Sequence, residues 1–255
     1  MAGAAGGPAR ELVVYAAGSL RASLTEIGRR FEQDTPGVHL RFVFGAAGLL
    51  KDRLAAGEPA DVFASANMEH PQAIAAASGA GTVRRFTRNR LCVLARPEAG
   101  VTADNVLARL LDPALRVGTS TPEADPCGDY AWELFRRIGQ RGGAFAGAYD
   151  MLDRKALKLT GGPGSPRPPA GRSVYVALLE AGQADVFIIY TTIALQAQQE
   201  NAALHRVDIP EDVNVAANYG VVLLGGAGPQ AQRFVEALLA PAGQAVLARR
   251  GFAPR

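Results

Sequence analysis

The 255-residue sequence predicts an α/β protein of two lobes, each a mainly parallel sheet flanked by helices. Two observations predict it. Short apolar runs alternate with segments of helical periodicity from Leu12 almost to the C-terminus, the pattern of β-α-β units. Several of these runs end in turns of small residues that open a helix. In open α/β sheets ligands bind at such places, beyond the carboxyl ends of the strands.

The first strand, Leu12-Val13-Val14-Tyr15, leads through Ala16-Ala17-Gly18-Ser19-Leu20 into a helix marked by Leu20, Leu24, Ile27 and Phe31. Ser19 therefore stands at a helix N-terminus, where unpaired N–H groups and about half a positive charge attract anions. A plain helix cap is the competing reading of Ser19. The arrangement recurs: Leu40 to Phe44 runs into Gly45-Ala46-Ala47-Gly48 and a helix from Leu49 to Ala56. Pro59 to Ala66 then contains a short buried strand reaching Ser65, followed by a helix from about Pro71 to Ala77.

A further strand, Asn89 to Ala95, is stopped by Pro97. Leu115 to Gly118 passes through a turn, Thr119 to Gly128, into a helix from Tyr130 to Ile138. Gly161 to Gly171, rich in Gly and Pro, reads as a surface loop, and Arg172-Ser173 opens a helix from Val174 to Glu180. Ala184 to Tyr190 is a buried strand ending in Tyr190-Thr191-Thr192. Asn218 to Leu224 is the last strand, and helices Pro229–Leu239 and Ala242–Arg250 close the chain. The expected division is residues 11–88 with 218–255 for one lobe and 89–217 for the other.

Composition narrows the function. Hydrophobic residues are 48%, charged residues 20% and the formal charge +3, with no Lys/Arg cluster interleaved with aromatics. No nucleic-acid partner is expected. No apolar run reaches membrane-spanning length, and residues 1–10 lack the hydrophobic core of a signal peptide. Cys92 and Cys127 fit no zinc spacing, and either a bridge or two separate thiols is compatible with the sequence. His39, His70 and His205 are scattered, so no structural metal and no cofactor are expected. Ser19 lies in Ala-Gly-Ser-Leu rather than a Gly-x-Ser-x-Gly elbow, and no histidine falls in the turns to serve Ser19 or Cys127 as a base. The expectation is a binding protein, not an enzyme.

Taken together, Tyr15 to Leu20, Pro59 to Ala66, Asp125-Pro126-Cys127-Gly128, Ala184 to Tyr190 and the closing Arg250-Gly251-Phe252 resemble the periplasmic molybdate- and tungstate-binding proteins of ABC importers, in the same order and over nearly the whole chain. The resemblance implies the periplasmic-binding-protein fold, with an oxyanion held in the cleft between two lobes. It implies a monomer in the periplasm that delivers molybdate or tungstate to the membrane subunits of an ABC permease. Carried over by position, Ser19 is a hydroxyl and amide donor. Ala46 and Ala47 stand where the bacterial molybdate branch offers a second serine, so only backbone N–H groups serve there. Cys127 and Arg172 or Ser173 fall at backbone-amide positions of the second lobe, and Tyr190 matches the phenol donor. Asp125 matches the archaeal-type tungstate binders, in which an Asp of this motif ligates the metal. Those proteins pair it with a Glu where this chain has Ile189. No bare metal ion is implied, because the ligand is an oxyanion.

Each residue also has an ordinary reading: Tyr190 a core tyrosine, Cys127 a small filler or a reactive thiol, Arg172 a solvated cation. Asp61 reads as a brace, and Glu123, Asp125 and Asp129 as first-turn acids matching a helix dipole. Two alternatives stand beside the leading expectation. One is the same scaffold reassigned to a phosphate-like anion, sulfate or a small carboxylated organic. The other is an effector-sensing domain of a regulator.

Overall fold

The computed structural model describes residues 10–167 and 171–255, and the chain divides into two compact units. One comprises the chain up to Arg88 together with Asn218–Arg255; the other is Asn89–Ala217.

In the first unit the strands are β1 (Arg10–Ala17), β2 (Val38–Gly45), β3 (Val62–Ser65) and part of β4 (Arg84–Ala95) and β9 (Ala216–Leu223). β1 pairs in parallel with β2 and β3, and β3 pairs antiparallel with β9. α1 (Arg21–Asp34) follows β1 because Leu20, Leu24, Ile27 and Phe31 form one buried stripe. That stripe packs toward α9 (Pro229–Leu239) and α10 (Pro241–Arg249). Phe234 of α9 is fully buried, edge-on to Phe31 at 5.5 Å and to Phe42 at 6.1 Å. α2 (Ala47–Ala55) and α3 (Glu69–Ser78) pack on each other. Asp61 is the expected brace: its carboxylate accepts from Val13 N–H at 2.8 Å, and its carbonyl accepts from Leu224 N–H at 2.9 Å.

The second unit has β4 antiparallel to both β7 (Val186–Tyr190) and β8 (His205–Asp208), β7 parallel to β5 (Val117–Ser120), and β5 parallel to β6 (Leu157–Thr160). Its helices are α4 (Val106–Leu111), α5 (Pro126–Gln140), α6 (Ala148–Lys155), α7 (Val174–Glu180) and α8 (Thr191–Glu200). Cys92, Leu94, Phe187 and Ile189 of the sheet pack against Tyr175, Val176 and Leu179 of α7 and Ala194 and Ala197 of α8. Asn214 acts as a strand substitute beside β4, its amide group exchanging bonds with Leu91 N–H at 3.2 Å and Leu91 C=O at 2.9 Å. Among the described residues no helix is long and apolar enough to cross a membrane.

Three local expectations shift. The helix expected from Tyr130 starts at Pro126, because Asp125 caps it and Pro suits the first helical position. The strand expected at Leu115–Gly118 lies at Val117–Ser120; Leu115 N–H closes a turn onto Asp112, and Arg116 is drawn to Asp185. β4 begins five residues earlier than Asn89, since Arg88 N–H and Thr87 hydroxyl both bond Ala253 C=O near the C-terminus. The expected loop from Gly161 has no helix or strand through Arg167; its residues 168–170 lie outside the described residues.

Candidate functional site

The first unit places two helix starts side by side. β1 and β2 run parallel and in register to their last pair, Ala17 opposite Gly45. They are one strand spacing apart, about 4.8 Å. Past Ala17 comes a tight turn, Gly18–Leu20, and then α1; past Ala46 comes α2. Ala17 precedes the turn, Leu20 caps α1 and Ala46 caps α2, and none of these starts has a side-chain cap. A Ser, Thr, Asp or Asn side chain at the cap can satisfy one of the first N–H groups of a helix. Here no side chain does so, and the positive ends of both helices can meet an anion. The turns run close together: a Cβ at Gly18 would lie 3.8 Å from Gly45 C=O, an ordinary contact distance.

Ser19 sits in the first of these turns, 7% exposed. Its hydroxyl lies 2.9 Å from the phenol of Tyr219, which β9 brings in from 200 residues away. Tyr219 is fully buried and held edge-on by Phe86 at 6.2 Å and Phe252 at 5.4 Å. Ser65 is spent locally: its hydroxyl donates to Asn67 Oδ1 at 2.8 Å, and the same oxygen accepts from His70 N–H.

In the second unit the start of α5 is capped by its own side chain. Asp125 Oδ1 accepts from Cys127 N–H at 3.2 Å, and Asp125 C=O accepts from Gly128 N–H at 2.8 Å. The Cys127 amide expected to meet a ligand is thus engaged by its own cap. Burial raises the Asp125 carboxyl above the ordinary Asp range; the Cys127 amide and the Ser120 hydroxyl oppose this, and Asp129 adds to it. Burial also pushes the Cys127 thiol well up, and Cys92 to about 12. Both cysteines are free and buried. The reactive-thiol reading of Cys127 is corrected on this point: the helix-start effect that would lower a thiol is outweighed by desolvation and the neighbouring Asp125.

The sign of the Asp125 shift makes a prediction. A carboxyl whose folded-state value is raised binds its proton more tightly in the native protein than in the unfolded chain. Its contribution to stability is therefore lost as pH rises from the ordinary Asp value through the raised one. Asp125→Asn keeps an acceptor for Cys127 N–H and removes the charge. Its Tm should exceed that of the wild type at pH 7, with the difference vanishing below roughly pH 3.9. A lower Tm at pH 7 would mean that the carboxylate is needed in its charged form.

Arg172 and Ser173 have partners within the second unit. Arg172 pairs with Glu180 at 2.8 Å and Glu200 at 2.9 Å, and Ser173 N–H donates to Glu200 at 2.7 Å. Two carboxylates near in space, on α7 and α8, already take what these residues offer. Tyr190 closes β7, is 2% exposed, and stands at the capping position of α8, which has no side-chain cap. The ring of Tyr130 lies edge-on to it at 6.4 Å. At the ends of β5 and β6, the Ser120 and Thr160 hydroxyls lie 3.0 Å apart, and both bond the Tyr175 phenol, which burial pushes up.

The structure therefore groups Ser19 with Ala46 and Ala47 in one unit, and Asp125, Cys127 and Tyr190 in the other, the Cys127 thiol accepting from Tyr190 N–H. The residue missed from sequence is Tyr219. A tyrosine inside an otherwise apolar strand needs a partner for its hydroxyl, and that need was the available signal. Among the described residues no group of three His, Cys, Asp or Glu side chains gathers as a metal-holding cluster.

The architecture is the periplasmic-binding-protein fold, and the chain defines itself as a solute binder: residues 12–253 match the family described as bacterial extracellular solute-binding protein. The chain belongs to that family. An uncharacterized protein of Pasteurella multocida is 38% identical over 94% of this chain and 98% of its own length. The molybdate-binding protein ModA of Mycobacterium tuberculosis is 29% identical over 96% of this chain and 85% of its own. The solved sulfate-binding protein SubI of Mycobacterium tuberculosis superposes with a TM-score of 0.75 at 17% identity, covering 96% of this chain and 86% of that one.

Proposed function

We propose that this protein captures a tetrahedral oxyanion, molybdate or tungstate, and delivers it to the membrane permease of an ABC importer in the periplasm. The observation that carries the reading is the pair of adjacent turns at the ends of the parallel strands β1 and β2, one opening α1 through Gly18–Leu20 with the Ser19 hydroxyl in it, the other opening α2 at Ala46. Such a site suits an anion that carries acceptors on every side. Neutral N–H and O–H groups replace its water, and the helix dipoles offset its charge without a counter-ion. Ser19 gives a hydroxyl and an amide; Ala46 and Ala47 give backbone N–H alone. Within the second unit, Tyr190 and the start of α8 are the candidate donors. The relatives support molybdate: the Mycobacterium tuberculosis protein of that name is similar over 96% of this chain.

A second reading keeps the scaffold and changes the anion to one that retains a proton, such as phosphate. The raised Asp125 favours it, because a carboxylate made more basic by burial is a better acceptor for a proton that the ligand keeps.

A thermal-shift series separates the two. The purified protein is melted with molybdate, tungstate, sulfate, phosphate and small carboxylates. Ligand at a hundred times its Kd stabilises by about 2.7 kcal/mol, a readable change in Tm. A shift with molybdate and tungstate alone is the expected result. Silence from both, with a response to phosphate, would replace the first reading by the second.

A further inference from the structure

Tyr219 stands outside the donor set just proposed, yet its phenol oxygen is 2.9 Å from Ser19 Oγ. A serine hydroxyl has one proton to donate and two positions that accept. A bare oxyanion oxygen only accepts. If Ser19 donates to the anion, it has no proton left for Tyr219, so the bond between them has one permitted direction: the phenol donates and the serine accepts.

We infer that Tyr219 is a positioning residue of the anion site, holding the Ser19 hydroxyl so that its proton faces the ligand. The inference rests on the oxyanion reading above. The phenol is the stronger acid of the two hydroxyls, which favours it as donor. A chain from phenol to serine to anion also polarises each bond in turn. Packing fixes the geometry. Tyr219 is fully buried between Phe86 and Phe252, so its oxygen cannot turn away without emptying part of the core. Phe252 is itself held in place by the next residue, Ala253, whose carbonyl accepts from Arg88 N–H at 3.1 Å and from the Thr87 hydroxyl at 2.9 Å. The C-terminal residues thereby help set the orientation of a serine near the N-terminus.

The test is a double-mutant cycle read by titration calorimetry with sodium molybdate and sodium tungstate. Tyr219→Phe removes one oxygen and should weaken binding about tenfold while leaving the ligand-free Tm close to that of the wild type. On a Ser19→Ala background the same change should cost nothing further, because there is no hydroxyl left to orient. Phe252→Leu keeps both hydroxyls and loosens the ring; it should cost affinity only where Ser19 is present. A merely structural Tyr219 would lower Tm and leave the cycle additive. Wild-type affinity in Tyr219→Phe, or equal losses with and without Ser19, overturns the inference while the oxyanion reading stands. Failure of the wild-type protein to bind either anion overturns the oxyanion reading and the inference with it.

Discussion

Ser19→Asp should abolish oxyanion binding and leave the protein folded. The new carboxylate would lie at the start of α1, where an acid is favourable by about 0.3–1 kcal/mol, and within reach of the Tyr219 phenol as a donor. It would occupy with its own charge the amides proposed to meet the ligand. A second anion brought beside it meets like charge in a poorly solvated place, at a cost of several kcal/mol, which corresponds to at least a thousandfold. Ser19→Ala removes only one charge-assisted hydrogen bond and should weaken binding by roughly 10- to 100-fold. Calorimetry with molybdate and tungstate gives the affinities, and ligand-free Tm shows that the fold survives. Undiminished binding by Ser19→Asp would place the anion somewhere other than the Ser19 turn.

The second large effect concerns stability. Gly128 lies in the first turn of α5, and a Cβ there would fall 2.6 Å from Pro122 N and Thr121 C and 2.8 Å from Ser120 C=O. All three are backbone atoms, so no side chain can step aside. Gly128→Ala must push the start of α5 off the end of β5, at a net cost of about 3 kcal/mol. Gly139 is the internal control. It is in the same helix, its nearest Cβ contact is 3.6 Å, and Gly139→Ala should stabilise by about 0.5–1 kcal/mol through helix propensity alone. Urea denaturation of both variants measures the contrast. Equal stabilities for the two would mean that α5 has room to shift.

Much of this was legible because the signals are local. The stripe Leu20, Leu24, Ile27 and Phe31 defines a helix through nearest-neighbour spacing, and the structure buries all four. The small-residue turns after β1 and β2 were visible as Gly and Ala runs where strands end. By contrast, α8 begins with two threonines and is rich in glutamine. Its helical periodicity is weak, and it forms because Ala194 and Ala197 pack on the sheet. β6 and β8 are four-residue strands with exposed positions, held by their neighbours rather than by their own apolar pattern.

The candidate site divides in the same way. That Ser19 lies at a helix N-terminus follows from the sequence, since capping positions are set by residues a few places apart. So does the loss of a hydroxyl at Ala46 and Ala47. Which donors remain open was decided by the tertiary structure. Glu200 takes the Ser173 amide from 27 residues away, Glu180 and Glu200 take Arg172, and Tyr219 meets Ser19 across 200 residues. A hydrogen bond depends on a separation of about 3 Å, and no pattern along the chain encodes the distance between two atoms that only the packed core brings together.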